Sequence, residues 1–435
     1  MNFVSNTLED QKKMLQIIGV NDLKDFFKDI PENLRLQKLL DLNSSISEIE
    51  LVKEFNQNFN HSQGMVSFLG AGAYQHYVPA IVDELASRSE FYTAYTPYQP
   101  EVSQGTLTAI FEFQTFISRL TGMDVTNASM YDGATSVAES VLMSTNITNR
   151  KKVLVSETLH PHYQEVIKTY AWAADLELEK IDYLQGETSL AELEKKVNEE
   201  ISCLVVQSPN FFGIIEQIAK LSSLTKKYGI HFILVVTEPL SLALLSSPQD
   251  LGVDIVCGEL QSFGNYLNFG GPMLGFISCL DQFKRRLPGR LVGQTLDSAG
   301  QEAYALTLQT REQHIRREKA TSNICSNEGL LALRAAIYLS YYGNKLKDLA
   351  LLNHKLACYT RDKFLSKGFQ LYWEKPFFNE ILVKVPDSQL FLSKLKKQGI
   401  IAGHYLGNYN PNLSEAILVC LTEEHSPEII DSLFL

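Results

Sequence analysis

The sequence predicts an α/β protein: a large domain on a mainly parallel sheet, a smaller α+β domain after it, and a helical arm in front. Three observations predict it. Four short runs, "KVLVS" (152–156), "ISCLVVQSP" (201–209), "HFILVVTEP" (231–239) and "VDIVCGE" (253–259), are continuously apolar, as strands buried on both faces are. Amphipathic segments with helix start and stop signals lie between them, the pattern of βαβ units with right-handed crossovers. The chain has 435 residues, more than one small core organises, and its two ends read differently from its middle.

Taken in order, residues 1–64 form the arm. "TLEDQKKMLQIIGV" offers Thr7 as N-cap, Glu9, Asp10 and Gln11 in the first turn, and Met14, Ile17 and Ile18 on one face, so this helix is expected to lie across another surface. The large domain spans 65–325. Its segment "SQGTLTAIFEFQTFISRLTG" (103–122) spaces Leu107, Ile110, Phe111, Ile117 and Leu120 as a helix does, with Ser103 available as a cap and Gly122 closing it. After the first apolar run, "SLAELEKKVNEE" sets Ser189 three residues before Glu192, a capping-box spacing, and "IEQIAKLSSLTKKYG" stops at Gly229. The small domain, 326–435, opens with the helical "GLLALRAAIYLSYYG" and continues with strand-like "EILVKV" and "AILVCL" flanking "LFLSKLKKQG".

Composition narrows the function. With 45% hydrophobic and 20% charged residues this is an ordinary globular chain, and a net charge of −11 argues against nucleic acid as a partner. The basic clusters "FKRRLPGR" (283–290) and "REQHIRREK" (311–319) read as solvated surface or as an anion or partner contact. Cys203, Cys257, Cys279, Cys325, Cys358 and Cys420 show no C-x-x-C spacing, so reduced thiols rather than disulfides or zinc are expected. The amino terminus lacks an apolar h-region and no apolar run approaches the roughly 20 residues that span a bilayer, which points to a cytoplasmic protein without a membrane partner.

Four stretches carry candidate chemistry. In "NASMYDGATSVAES" (127–140), Asp132, Gly133 and Thr135 stand where a loop enters a helix; free N–H groups there suit a phosphate, and Asp132 or Ser129 equally suits a plain cap. His160 and His162 follow an apolar strand, where open α/β sheets place ligands, and no third ligand supports a metal. "SEFYTAYTPYQPEVSQG" (89–105) carries Tyr92, Tyr95 and Tyr98 among Thr and Pro, suited to ring stacking, to hydrogen bonding or to a subunit interface. "NFGGPMLG" (268–275) is a tight turn in which backbone approaches a ligand or a neighbouring chain.

Such a chain suggests the large domain of a pyridoxal-phosphate-dependent enzyme of the aminotransferase type, fold type I. More specifically, "FLGAGAYQHYVPAIVDELASRSEFYTAYTPYQPEVSQGTLTAIFEFQT", "LTGMDVTNASMYDGAT", "QSPNFFG", "FGGPMLG" and "TREQHIRREKATSNIC" resemble the blocks of the P-protein family of the glycine cleavage system in its first-subunit form. The resemblance covers essentially the whole chain. It implies an oxidoreductase assembly, glycine dehydrogenase (decarboxylating), that releases the carboxylate of glycine as CO2 and passes the aminomethyl group to the lipoyl arm of H-protein.

Pyridoxal-phosphate chemistry needs a lysine amine to hold the cofactor. The position matching that lysine falls at Gln261-Ser262, with Ser262 at the expected site, and no lysine occurs between Lys227 and Lys284. Catalytic residues in this chain alone are therefore expected to be none. The resemblance implies that a lysine-bearing second subunit carries pyridoxal phosphate in an α2β2 heterotetramer, and that this chain completes its site through Thr93, Tyr95, Tyr98 and Ser103. Asp132, Gly133, Thr135, His160 and Glu238 match cofactor-pocket positions and are read as vestigial: His160 where an aromatic ring stacks on the cofactor, Glu238 where an aspartate pairs with the pyridinium nitrogen. Glu238 departs from that pattern by one methylene. The segment 311–319 is a candidate contact for H-protein. A competing reading makes the chain a non-catalytic scaffold that only stabilises its partner.

Overall fold

The computed structural model describes residues 6–59, 64–309, 312–320, 322, 324 and 327–434. By its contacts the chain divides into two compact units, 1–63 and 64–435. In the first, helix α1 (Leu8–Ile18) starts where its cap was expected: Asp10 N–H donates to Thr7 Oγ1 at 3.2 Å, and Thr7 N–H donates back to Asp10 Oδ2 at 3.0 Å. Helix α2 (Glu48–Phe59) opens the same way on Ser47 and Glu50. Met14, Ile17 and Ile18 in α1 and Leu51, Val52 and Phe55 in α2 are exposed.

In the second unit, α3 (Ala80–Ala86), α4 (Ser89–Tyr92) and α5 (Gln104–Thr121) lead to the short strand β1 (Val125–Thr126) and to α6 (Gly133–Thr148). Strands and helices then alternate: β2 (Lys152–Ser156), α7 (Pro161–Ala173), β3 (Glu177–Ile181), α8 (Leu190–Lys196), β4 (Ile201–Gln207), α9 (Ile218–Lys226), β5 (His231–Val236), β6 (Ile255–Glu259) and β7 (Gly275–Cys279). The seven strands form one sheet in the order β1-β7-β6-β5-β4-β2-β3. Pairs from β3 to β6 are parallel, and β7 runs antiparallel to both its neighbours.

Alternation along the strands explains their apolar runs. Leu204 and Val206 of β4 with Phe232, Leu234 and Val236 of β5 enter one core cluster, while Cys203, Val205, Ile233 and Val235 enter a second on the opposite face. Helix α6 covers the second face with Val137 and Val141, and α5 covers the first with Phe113 and Ile117.

Several elements are shorter than the periodicity predicts, and in three of them a local reason is visible. β4 ends at Gln207 because Pro209 has no N–H to continue the ladder. The helix expected over 189–200 stops at Lys196, where Glu200 N–H bonds to Asn198 Oδ1 at 2.9 Å in a side-chain turn. α9 starts at Ile218 rather than 215 because Ile215 N–H is taken by Pro376 O and Glu216 N–H by Ser208 Oγ.

Beyond the sheet, the hairpin β8 (Leu291–Leu296) and β9 (Glu302–Thr307) precedes α10 (Gly329–Tyr342) and α11 (Leu346–Ser366). α10 packs Leu331, Ala332, Ala335 and Tyr338 into the core of the large sheet. A four-stranded antiparallel sheet follows, β10 (Gln370–Leu371), β11 (Glu380–Lys384), β12 (His404–Tyr405) and β13 (Ala416–Cys420), ordered β10-β11-β13-β12 with helix α12 (Ser388–Lys397) against it. Residues Val66–Ser67 pair in parallel with Ile400–Ile401, and Phe68 joins the core of this C-terminal sheet. Among the described residues Cys203, Cys257, Cys358 and Cys420 are free thiols; Cys325 and Arg311 lie outside them. No described helix is long and apolar enough to cross a membrane.

Candidate active site

The carboxyl ends of β2, β5 and β6 face one region, closed from above by residues 70–77, "GAGAYQHY". His160 follows β2 and caps α7, its Nδ1 accepting from His162 N–H at 3.2 Å and its backbone N–H donating to Gln207 Oε1 at 2.9 Å. With Nδ1 accepting, Nε2 carries the proton and donates to Ala71 O at 2.8 Å. Burial holds this imidazole neutral, with its pKa down at about 4. Gly72, at φ +97°, crowds this ring: a Cβ there would stand 3.0 Å from Cδ2 and 3.1 Å from Nε2.

Glu238, after β5, is fully buried and caps the turn 239–243, accepting from Leu240 N–H at 3.1 Å. Its other oxygen accepts from His76 Nε2 at 2.9 Å and from the Ser262 hydroxyl at 3.4 Å. On the far side, His76 Nδ1 bonds Glu423 at 2.9 Å, and Asn353 Nδ2 donates to the same carboxylate at 3.0 Å. Burial works against a charge on His76, but Glu238 foremost and then Glu423 outweigh it and raise the pKa to about 10. Glu423 is correspondingly lowered to about 2: burial would raise it, and the bond to His76 and its charge prevail.

Glu259, the last residue of β6, points at the start of α6. Its Oε2 accepts from Gly133 N–H at 2.9 Å; its Oε1 accepts from Leu274 N–H at 2.7 Å, Gln261 N–H at 3.0 Å and Leu260 N–H at 3.2 Å. Burial pushes this carboxyl up to about 7 against the pull of the backbone donors, and the charge of Asp132 adds to the rise. Asp132 itself caps α6, with Thr135 N–H on its Oδ1 at 2.7 Å. Thus the loop at Asp132, Gly133 and Thr135, which the sequence leaves open between a phosphate cradle and a cap, forms a cap, and the Gly133 amide beside it is taken by a carboxylate of the same chain.

Tyr74 and Gln261 close the set. Tyr74 N–H donates to Gln261 Oε1 at 3.3 Å, and its hydroxyl donates to Glu380 Oε2 at 2.9 Å, while Glu380 Oε1 accepts from Ala71 N–H at 2.7 Å. Burial raises Glu380 to about 7. Glu238 therefore has a use that its position did not foretell: it faces a histidinium ion from the same chain.

The tyrosine segment lies apart from this interior. Thr93 closes α4, its hydroxyl donating to Ser89 O at 2.7 Å, so it serves the local turn. Ser103 occupies the N-cap position of α5 without making the expected side-chain cap. The reason is that its backbone N–H closes a tight turn on Pro100 O, and Gln104 ties the helix start instead by bonding Pro100 O and both the N–H and C=O of Tyr304. Tyr95 is 83% exposed, and Tyr98 is 43% exposed with its hydroxyl accepting from Arg290 Nη2 at 2.8 Å. A cavity of about 190 Å³ opens beside them, lined by Phe91, Tyr92, Tyr95, Thr96, Pro97 and Asn327 among others.

A pyridoxal phosphate ring and phosphate require an amine, free amides at the helix entrance and an open face on His160. The residues present do not fit it. Ser262 offers no amine, Glu259 holds the Gly133 amide, the 71–72 backbone stands against Cδ2 and Nε2 of His160, and His76 sits on Glu238. Sequence reasoning missed Glu259, His76, Glu380 and Glu423; the one local signal was a carboxylate ending or opening an otherwise apolar strand, as in "VDIVCGE" and "EILVKV".

A mainly parallel seven-stranded sheet with one reversed strand, a second small sheet, and these residues beyond the strand ends define an α/β protein of the fold-type I, aminotransferase-like class whose central pocket is filled by its own side chains. Within that class the chain belongs to the glycine cleavage system P-protein family, whose model matches residues 1–435. It is 48% identical over 439 aligned residues to "Probable glycine dehydrogenase (decarboxylating) subunit 1" of Desulfitobacterium hafniense, covering 100% of this chain and 98% of that protein. It is 46% identical to the protein of the same name in Listeria monocytogenes serotype 4b, covering 99% and 97%. A crystal structure of glycine decarboxylase (P-protein) of the glycine cleavage system, in inhibitor-bound form, is similar at TM-score 0.86 and 38% identity over 100% of this chain and 98% of that one. A sphingosine-1-phosphate lyase of Burkholderia pseudomallei shares the fold at TM-score 0.66 and 12% identity over 92% and 91%.

Proposed function

We propose that this chain is the subunit of a cytoplasmic glycine dehydrogenase (decarboxylating) that carries no cofactor of its own. In this reading a second subunit supplies the lysine and pyridoxal phosphate, the two assemble as α2β2, and the complex decarboxylates glycine and passes the aminomethyl group to the lipoyl arm of H-protein. This chain completes the partner's site with Tyr95 and Tyr98. Its full-length relatives are named as subunit 1 of that enzyme, which supports a second chain. The observation that carries the division of labour is the Glu259 carboxylate, held on four backbone amides including that of Gly133, in the place a cofactor phosphate would need. Thr93 and Ser103 contribute through the backbone shape of the segment rather than through their hydroxyls.

The test is reconstitution. The purified chain, incubated with pyridoxal phosphate and passed through gel filtration, is expected to emerge colourless and to leave no lysine modified after borohydride reduction. Mixed with the second subunit and H-protein it is expected to restore exchange of the glycine carboxyl with bicarbonate. A retained cofactor band on this chain alone overturns the reading. Replacing Tyr95 and Tyr98 by Phe separates it from a pure scaffold: turnover falls if the tyrosines serve the site, and stays intact in an assembled complex if they do not.

A further inference from the structure

The two basic clusters of the sequence meet at one residue of the tyrosine segment. Arg290 closes the first cluster, and unlike its exposed neighbours Arg285 and Arg286 it is only 4% exposed. Its Nη2 donates to Tyr98 Oη at 2.8 Å, its Nη1 donates to Asn327 Oδ1 at 3.1 Å, and its Nε lies 3.6 Å from the Glu312 carboxylate of the second cluster. His314, also of the second cluster, places its ring 5.4 Å from that of Tyr98. The arginine is itself fastened at both ends: its carbonyl accepts from Ala128 N–H at 2.8 Å, and Asn327 Nδ2 donates to Ala128 O at 3.2 Å.

Withdrawing a guanidinium from water is costly unless its donors are met, so a buried arginine marks a position whose geometry is held. What it holds here is a surface phenol. Tyr92 and Tyr95 extend outward at 67% and 83% exposure, while Tyr98, three residues on, is tied by its hydroxyl to the interior. The backbone from Thr93 to Tyr98 has few ties of its own: Thr93 N–H bonds Ser89 O at 3.2 Å, Ala94 N–H bonds Phe91 O at 3.1 Å and Tyr98 N–H bonds Thr96 O at 2.8 Å, all within residues 89–98.

We propose that Arg290 is a positioning residue: by fixing the Tyr98 hydroxyl it sets the shape in which residues 93–98 meet the partner subunit's site. The proposal rests on the reading that this segment completes that site. The guanidinium fork reaches Tyr98 and Asn327 together, which the single ammonium of a lysine does not do.

The experiment is a double-mutant cycle of Arg290→Lys and Tyr98→Phe in the complete complex with the second subunit and H-protein, with chymotrypsin cleavage within 92–98 followed in the same chains. Arg290→Lys is expected to lower kcat for glycine carboxyl exchange about tenfold, with KM for glycine changed less than about twofold and assembly retained on gel filtration. In the Tyr98→Phe background the same change is expected to cost less than about twofold, since the hydroxyl it fixes is already gone. Cleavage in the segment is expected to rise at least about fivefold in Arg290→Lys, the mark of local opening. Asn327→Ala, which removes one anchor of the guanidinium and leaves the charge, is expected to reproduce both effects if Arg290→Lys folds poorly. Additive losses in the cycle, or unchanged cleavage, overturn the positioning role. Unchanged turnover of Tyr98→Phe with the cleavage effect present overturns instead the reading that the segment serves the partner's site.

Discussion

Replacing His76 by glutamine tests whether charge, rather than packing, holds the filled pocket together. In the native chain a buried imidazolium stands between Glu238 and Glu423, 2.9 Å from each. Glutamine keeps much of the volume and a donor but leaves two buried carboxylates without a cation. The rise of His76 from 6.5 to about 10 corresponds to about 5 kcal/mol, and the fall of Glu423 from 4.5 to about 2 to about 3 kcal/mol. Both describe one triad seen from two of its members, so they bracket the loss and are not added. The expected destabilisation is about 3–5 kcal/mol, the range for removing one partner of a buried ion pair. For a chain of this size that lowers Tm by roughly 5 °C.

The pH dependence separates charge from packing. His76 is raised on folding, so its contribution is fully present below pH 6.5 and is lost as pH rises through about 10. Glu423 is lowered on folding, so its contribution is present above pH 4.5 and is lost as pH falls through about 2. Urea unfolding of both proteins at pH 6, 8 and 10 is the assay. The gap between them is expected to be full at pH 6, smaller at pH 8 and under about 1 kcal/mol at pH 10. A gap that is equally wide at pH 6 and pH 10 refutes the charge argument, because packing loss has no such dependence.

Further outcomes follow from the same contacts. Ser262→Lys, which places an amine at that position, is expected to retain no pyridoxal phosphate through gel filtration, since Glu259 still holds the Gly133 amide and His76 still bonds Glu238; a cofactor absorbance band in that variant shows the pocket to be open. Glu259→Gln replaces one of two accepting oxygens by a donor facing backbone N–H groups and is expected to cost about 1–3 kcal/mol in urea unfolding. Asp132→Ala removes the cap of α6 and is expected to cost about 1 kcal/mol. Gly72→Ala meets both a φ of +97° and the His160 ring, and is expected to lower Tm by several degrees where an alanine at open Gly105 does not.

The strands buried on both faces were legible because their alternation fills two cores, which leaves no polar residue to interrupt the run. β3 was not, since "ELEKI" lies at the sheet edge with exposed charges, and β7 was hidden behind the glycine-rich turn before it. Of the site, His160 could be placed beyond a strand end and Asp132 at a helix entrance from sequence spacing, and Glu238 through the family resemblance. Their partners could not. His76 meets Glu238 and Glu423 across 162 and 347 positions, and Tyr74 meets Glu380 across 306, separations at which no local pattern survives. Arg290 was concealed differently: its cluster is surface at Arg285 and Arg286, and burial begins only where the chain turns back toward Ala128.

A pocket built for a charged cofactor is a set of amides and ionised side chains that the bound group satisfies, and removing the anchoring amine alone would leave those groups buried and unpaired at a cost of about 1–3 kcal/mol each. This chain has met that cost internally. The Gly133 amide has Glu259, one oxygen of Glu238 has both His76 and Ser262, and the His160 ring has the Ala71–Gly72 backbone against Cδ2 and Nε2. On the proposed division of labour, Ser262 goes together with these contacts, and an amine placed there alone leaves them in place. The same reasoning predicts that the stability of the isolated chain does not depend on cofactor concentration, because a ligand stabilises only what binds it. Residues 92–98 show the opposite condition, with aromatic rings open to solvent and one of them tied down by a buried arginine. An interior completed from within, beside a surface held in shape but left uncovered, is the arrangement expected of a subunit whose contribution is made at another chain's site.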